Sequence, residues 1–204
     1  MIDENWPQNP RSKLGLLVHE VRACTLCAAQ LPLGPRPVLQ VDETARILVI
    51  GQAPGTRVHA TGIPWNDPSG DRLRQWLGVD RETVYDARRV AIMAMGFCYP
   101  GRGKGGDLPP RSECAPLWHP RLRALLSNVR LTLLIGHYAQ VHYLGGRSAT
   151  LTATVQRFRD FLPQGYFPLP HPSPRNTHWL RQRPWMGSDV IPALREQVQQ
   201  ALSA

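Results

Sequence analysis

Three short apolar runs, at residues 46–50, 90–95 and 131–135, read as buried strands, and a weaker fourth covers residues 166–169. Between and around them apolar positions recur at helical spacing over 12–24, 71–77, 120–126, 137–144 and 152–161. A last helix is predicted over 188–202, with Ser188 as N-cap and Asp189 in its first turn. Strands alternating with helices imply parallel crossovers, and so an α/β fold: a three-layer α/β/α sandwich around a central, mostly parallel four-stranded sheet. Such sheets place their chemistry beyond the carboxyl ends of the strands. Each strand here is followed by a loop rich in Gly, Pro, His or Asp. With no repeat and no low-complexity linker, one domain over residues 1–204 is expected, its N-terminal helix at 12–24.

Composition narrows the class. A chain of 204 residues, 42% apolar, has ample material for a core, and its 20 Pro and 17 Gly imply long, shaped loops. The apolar runs are far too short to cross a bilayer. Residues 1–5 are acidic and polar, unlike a secretory signal, so a cytoplasmic protein of a bacterial cytosol or nucleoid is expected. The formal charge is +9, and 22 of the 24 basic residues are Arg. Arg offers a planar fork for phosphate, which points to nucleic acid; a GC-rich genome would give the same bias with no such partner.

Two features carry candidate chemistry. The turn Gly51-Gln52-Ala53-Pro54-Gly55 after the first strand is neither a Walker nor a dinucleotide motif. Downstream, Trp65 and Asp67 stand two residues apart between prolines and glycines, a ring to hold a flat base and a carboxylate to stabilise developing positive charge. The plainer readings are a core or lid aromatic for Trp65 and, for Asp67, an Asx-turn or helix N-cap. The four cysteines form one CxxC pair, Cys24 and Cys27, plus Cys98 and Cys114. In a cytosolic chain that pattern suits a metal more than a disulfide: a [4Fe–4S] cluster, a zinc ion, or else unligated core thiols.

Residues 51–70 resemble, without a gap, the first motif of the iron–sulfur uracil-DNA glycosylases. Gln52 replaces that motif's Glu, and Trp65 stands where a Phe stacks on the extruded base. The ending Asp67-x-Ser69-Gly70 is similar to the family-5 branch, whose motif supplies a catalytic Asp. Gln52-Ala53-Pro54 also resembles the GQDPYH motif of the family-1 enzymes, with Ala53 in place of their Asp. The resemblance thus implies Asp67 as the catalytic carboxylate and Gln52, Ala53, Trp65 and Ala94 as base-binding positions. Ala94 stands where the family-4 branch has an Asn that reads uracil, which loosens the discrimination of the base. The cysteine spacing is similar to that branch's cluster ligands, implying a structural [4Fe–4S] cluster that staples the N-terminal helix to the basic loop 99–113. His171-Pro172-Ser173-Pro174-Arg175-Asn176 resembles the HPSPRN loop of the single-strand-selective monofunctional enzymes. That loop implies His171 as the oxyanion donor, with Ser173, Arg175 and Asn176 as DNA contacts. The following basic-aromatic stretch, including His178, Trp179, Arg181 and Arg183, either extends that surface or is an ordinary solvated helix. Gly136-His137-Tyr138-Ala139 is similar to a structural helix opening of the family.

Over residues 14–202 the resemblance implies a monomeric DNA repair glycosylase that flips a damaged base out of DNA and excises uracil or a related deaminated base. No lysine lies in these motifs, so no Schiff-base lyase step is expected and the product is an abasic site. The alternatives are a catalytically weak or inactive damage-sensing member and a glycosylase for hypoxanthine or xanthine.

Overall fold

A computed structural model describes residues 9–145 and 150–203 of the chain. The acidic opening at residues 1–5 lies outside the described residues. Helix α1 (Lys13–Arg22) starts at Ser12, whose hydroxyl accepts from the Gly15 amide. Strand β1 (Ile47–Gly51) leads through the Gly51–Gly55 turn into α2 (Thr56–Thr61), α3 (Pro68–Leu77) and α4 (Arg81–Tyr85). Then follow β2 (Val90–Ala94), a hairpin of β3 (Arg102–Gly103) and β4 (Gly106–Asp107), and α5 (Cys114–Leu125). Strand β5 (Leu131–Ile135) precedes α6 (His137–Leu144) and α7 (Leu151–Gln156); β6 (Tyr166–Leu169), α8 (Thr177–Arg181) and α9 (Ile191–Ser203) complete the order.

The main sheet runs β2-β1-β5-β6 and every pairing in it is parallel, with Ile47 opposite both Val90 and Leu131. Because side chains alternate along a strand, β1 feeds two cores. Leu48 and Ile50 pack with Leu14, Val18 and Val21 of α1 and Trp118 and Leu122 of α5. Ile47 and Val49 pack with Leu73 and Leu77 of α3, Leu194 and Val198 of α9, and the stacked pair Phe158 and Phe167. The three-layer α/β/α sandwich expected from the sequence is therefore the fold. Among the described residues no helix is long and apolar enough to cross a membrane.

Several boundaries differ from the sequence expectation. Helix α5 begins at Cys114, six residues before the predicted start at 120, and simply carries Pro120 in its interior. The segment expected as one helix over 152–161 is α7 followed by a 3-10 helix, Phe158–Gln164. Ser188 is not an N-cap: it lies inside a single π-helical turn, Met186–Val190, and its hydroxyl donates to the Pro184 carbonyl. Helix α3 starts at Pro68 rather than 71, because Asp67 caps it. Arg195 of α9 donates to the Gln75 carbonyl at 2.8 Å, satisfying a group that the α3 C-terminus leaves open.

Candidate active site

The turns beyond β1, β2 and β6 converge on one cavity lined by Gln52, Ala53, Trp65, Asp67, Ala94 and His171. Both catalytic and all four base-binding positions read from the sequence thus face a common space. Strand ends and loops are laced together there: Met95 donates to the Gly51 carbonyl at 2.9 Å and Gly96 to that of Gln52 at 3.0 Å.

Trp65 forms one wall. Its φ of +55° lies in the left-handed region that side chains other than glycine rarely adopt. Two glycines make the placement possible. A Cβ on Gly51 would stand 2.9 Å from the Trp65 ring, and one on Gly70 only 1.7 Å from the Trp65 carbonyl oxygen. Tyr85 also donates to the Pro64 carbonyl at 2.9 Å, fixing the residue before the ring.

Asp67 does two things. Its Oδ1 accepts from the Gly70 amide at 2.8 Å as the N-cap of α3, with Pro68 in the first turn. The same carboxyl lines the cavity. The plain capping reading and the catalytic reading are compatible.

His171 faces the Trp65 ring, with centroids 5.4 Å apart. Its Nδ1 accepts from the Ser173 amide at 3.2 Å, which leaves the proton of the neutral ring on Nε2. Burial lowers its pKa, and the carboxylates of Asp67 and Asp107 oppose that shift. The imidazole is thereby kept neutral near pH 7, as a hydrogen-bond donor.

The remaining loop residues are tied locally. Asn176 donates its amide to the His171 carbonyl at 2.8 Å, and the Ser173 hydroxyl accepts from the Arg175 amide at 3.3 Å. Arg175 is exposed and reaches across to the Gly105 carbonyl of the β3–β4 hairpin at 3.1 Å. Trp179 is half-buried against the core and covered by the Arg183 guanidinium at 4.4 Å.

Two supporting residues carry no sequence signal. Arg72 of α3 clamps the 171–176 loop by donating to the Ser173 carbonyl at 2.9 Å and the Thr177 hydroxyl at 3.1 Å. His119 of α5, fully buried, donates from Nε2 to the Ala94 carbonyl at 2.9 Å and accepts from the Tyr143 hydroxyl at 2.6 Å, bracing the cavity floor. Only its contact with a residue twenty-five positions away reveals it.

Burial drives the His119 pKa down to about 4 from an ordinary 6.5. The unfolded chain therefore binds the proton more readily than the folded one. His119 leaves stability untouched above pH 6.5 and withdraws it as pH falls toward 4. Converted at 1.36 kcal/mol per unit, this is a loss of about 3 kcal/mol. Melting temperatures measured from pH 7 to pH 4 fall more steeply in the wild type than in His119→Gln, which cannot titrate; parallel curves refute the assignment.

Cys24, Cys27, Cys98 and Cys114 line a second cavity, between α1, the end of β2 and the start of α5. None is in a disulfide. Burial raises the thiol pKa of Cys98 to about 11 and of Cys114 to about 12, and each feels the neighbouring cysteines. The Phe97 amide donates to the Cys114 sulfur at 3.4 Å, and Arg111 hydrogen-bonds Cys27. Among the described residues no three of His, Cys, Asp and Glu are grouped closely enough to grip a single metal ion.

The parallel sheet, the turn after β1 and the histidine loop after β6 all fall within residues 39–195, which match the family model of the uracil DNA glycosylase superfamily; the chain belongs to that superfamily.

Proposed function

We propose that this protein is a monofunctional DNA glycosylase of the iron–sulfur branch, excising uracil or a related deaminated base. Superfamily membership supports a DNA glycosylase-type function with DNA as the partner. The observation that carries the finer reading is the shared cavity of Trp65, Asp67 and His171. Extruding a base costs a few kcal/mol, and stacking on an aromatic ring such as Trp65 returns roughly 1–3 kcal/mol.

As the C1′–N bond lengthens, the base gains negative charge and the sugar positive charge. His171, neutral with its proton on Nε2, donates to the base oxygen without delivering a full proton. Asp67, with Oδ1 engaged in the cap, offers its other oxygen to the sugar. Ala94 supplies only a methyl group and a carbonyl already taken by His119, so no side-chain amide from β2 reads the base. That favours a broad choice of deaminated bases.

For the second cavity, an all-sulfur donor set around a shared space suits a [4Fe–4S] cluster held by Cys24, Cys27, Cys98 and Cys114. Bound there, a cluster supplies a structural crosslink between α1 and α5 rather than a step of the reaction, and its positive charge offsets the cost of ionising buried thiols.

The test is a panel of single- and double-stranded oligonucleotides, each with one uracil, hypoxanthine or xanthine, incubated with the protein and then cleaved by alkali. Alkali-sensitive breaks at uracil or another of these bases are expected. Binding to every substrate without any break would establish a damage-sensing module instead.

A further inference from the structure

The β3–β4 hairpin bears one acidic side chain, Asp107, which has no part in the chemistry assigned above to the cleft. The hairpin is pinned to both cleft walls. Gln52 Nε2 donates to the Leu108 carbonyl at 3.3 Å, and Arg175 Nη1 donates to the Gly105 carbonyl at 3.1 Å. Asp107 stands between these two anchors, so its position is set by the same loops that form the cavity.

Its carboxylate turns toward the cleft. Oδ2 lies 3.5 Å from where a Cβ on Gly55 would be, and Gly55 lines the cavity. His171, on another wall, feels the Asp107 charge together with that of Asp67. Among the described residues no ion pair neutralises Asp107, although Arg102 is its partner in the hairpin register. Asp107 is exposed at the rim, whereas Trp65, Ala94 and His171 line the interior. On the glycosylase reading, a base seated in the interior would leave its deoxyribose toward the exposed side on which Asp107 lies.

We propose that Asp107 is a second catalytic carboxylate, holding and deprotonating the water that attacks C1′ while Asp67 faces the positive charge of the sugar. The inference rests on the glycosylase reading. One carboxylate with one oxygen committed to a helix cap is poorly placed to serve both cation and nucleophile. In the step, the C1′–N bond breaks with its electron pair on the base, and the water oxygen bonds to C1′. The water proton passes to the Asp107 carboxylate and from there to solvent. The base anion, steadied by His171 Nε2–H, takes a proton from solvent as it leaves.

Single-turnover excision from a uracil oligonucleotide, with DNA affinity and melting temperature measured alongside, tests this. Asp107→Asn is expected to lower the rate about 10²-fold with affinity and melting temperature unchanged, and added formate to restore part of the rate of Asp107→Ala. A wild-type rate in Asp107→Asn overturns the inference while leaving the glycosylase reading intact. So does an Asp107→Ala loss that formate does not restore and that weakened DNA binding accounts for in full. A wild-type protein that releases no base overturns the glycosylase reading, and this inference with it.

Discussion

Asp67→Asn slows single-turnover base release by about 10²–10³-fold, the usual loss when a preorganised charge is removed from a reacting centre. Asn is the informative replacement because Asp and Asn cap helices about equally well. The hydrogen bond to the Gly70 amide therefore survives, and the melting temperature should stay within a degree or two of wild type. Asp67→Ala removes cap and charge together; it should show the same kinetic defect and an additional stability loss of about 1 kcal/mol. If Asp67→Asn were fully active while Asp67→Ala lost only stability, the residue would be a cap and nothing more. DNA affinity, set largely by phosphate contacts, should not distinguish the variants.

Protein purified without oxygen is expected to be brown and to hold about four irons per chain. Cys98→Ala should bleach it and lower the melting temperature sharply, because the energy of binding a metal centre is also folding energy. Cys98 is an informative residue to replace: it lies four residues beyond the end of β2, and burial pushes its thiol pKa up to about 11. A colourless protein with one zinc per chain would refute the cluster, and Cys98→Ala with unchanged stability would refute any structural role for the site.

The sheet could be read from the sequence because its strands are short, continuous apolar runs. The spans 131–135 and 166–169 coincide with β5 and β6 to the residue, and 137–144 with α6. The loops that carry the candidate site were legible for the same reason, since strand ends converge in a parallel sheet, but the choice of residues within them came from the resemblance to the glycosylase motifs. What escaped was set by distant contacts. Helix α5 was predicted to begin at Pro120, yet packing of Ala115 and Trp118 onto the sheet carries it through two prolines. The β3–β4 hairpin has two residues per strand and no apolar alternation, so nothing local marks it. Asp107 went unread with it, since its approach to Gly55 spans some fifty residues of chain. Arg72 and His119 each act through one hydrogen bond to a backbone carbonyl and one to a side-chain hydroxyl of residues far along the chain, which leave no trace in residue order.

The left-handed backbone at Trp65 has a consequence for the energetics of substrate capture. A left-handed residue that is not glycine costs on the order of 1–3 kcal/mol, and the fold bears that cost once, when Gly51 closes on the ring and Gly70 on the Trp65 carbonyl. The indole then has few rotamers left to lose. Ordering a free side chain during association would subtract roughly 0.5–1.5 kcal/mol from each binding event. If Trp65 stacks on an extruded base as proposed, that entropy is surrendered during folding, and more of the stacking energy is left to hold the base against its return to the helix. On the proposed reading, the size of base accepted would then depend on the other residues that line the cavity, Ala53 and Ala94 among them.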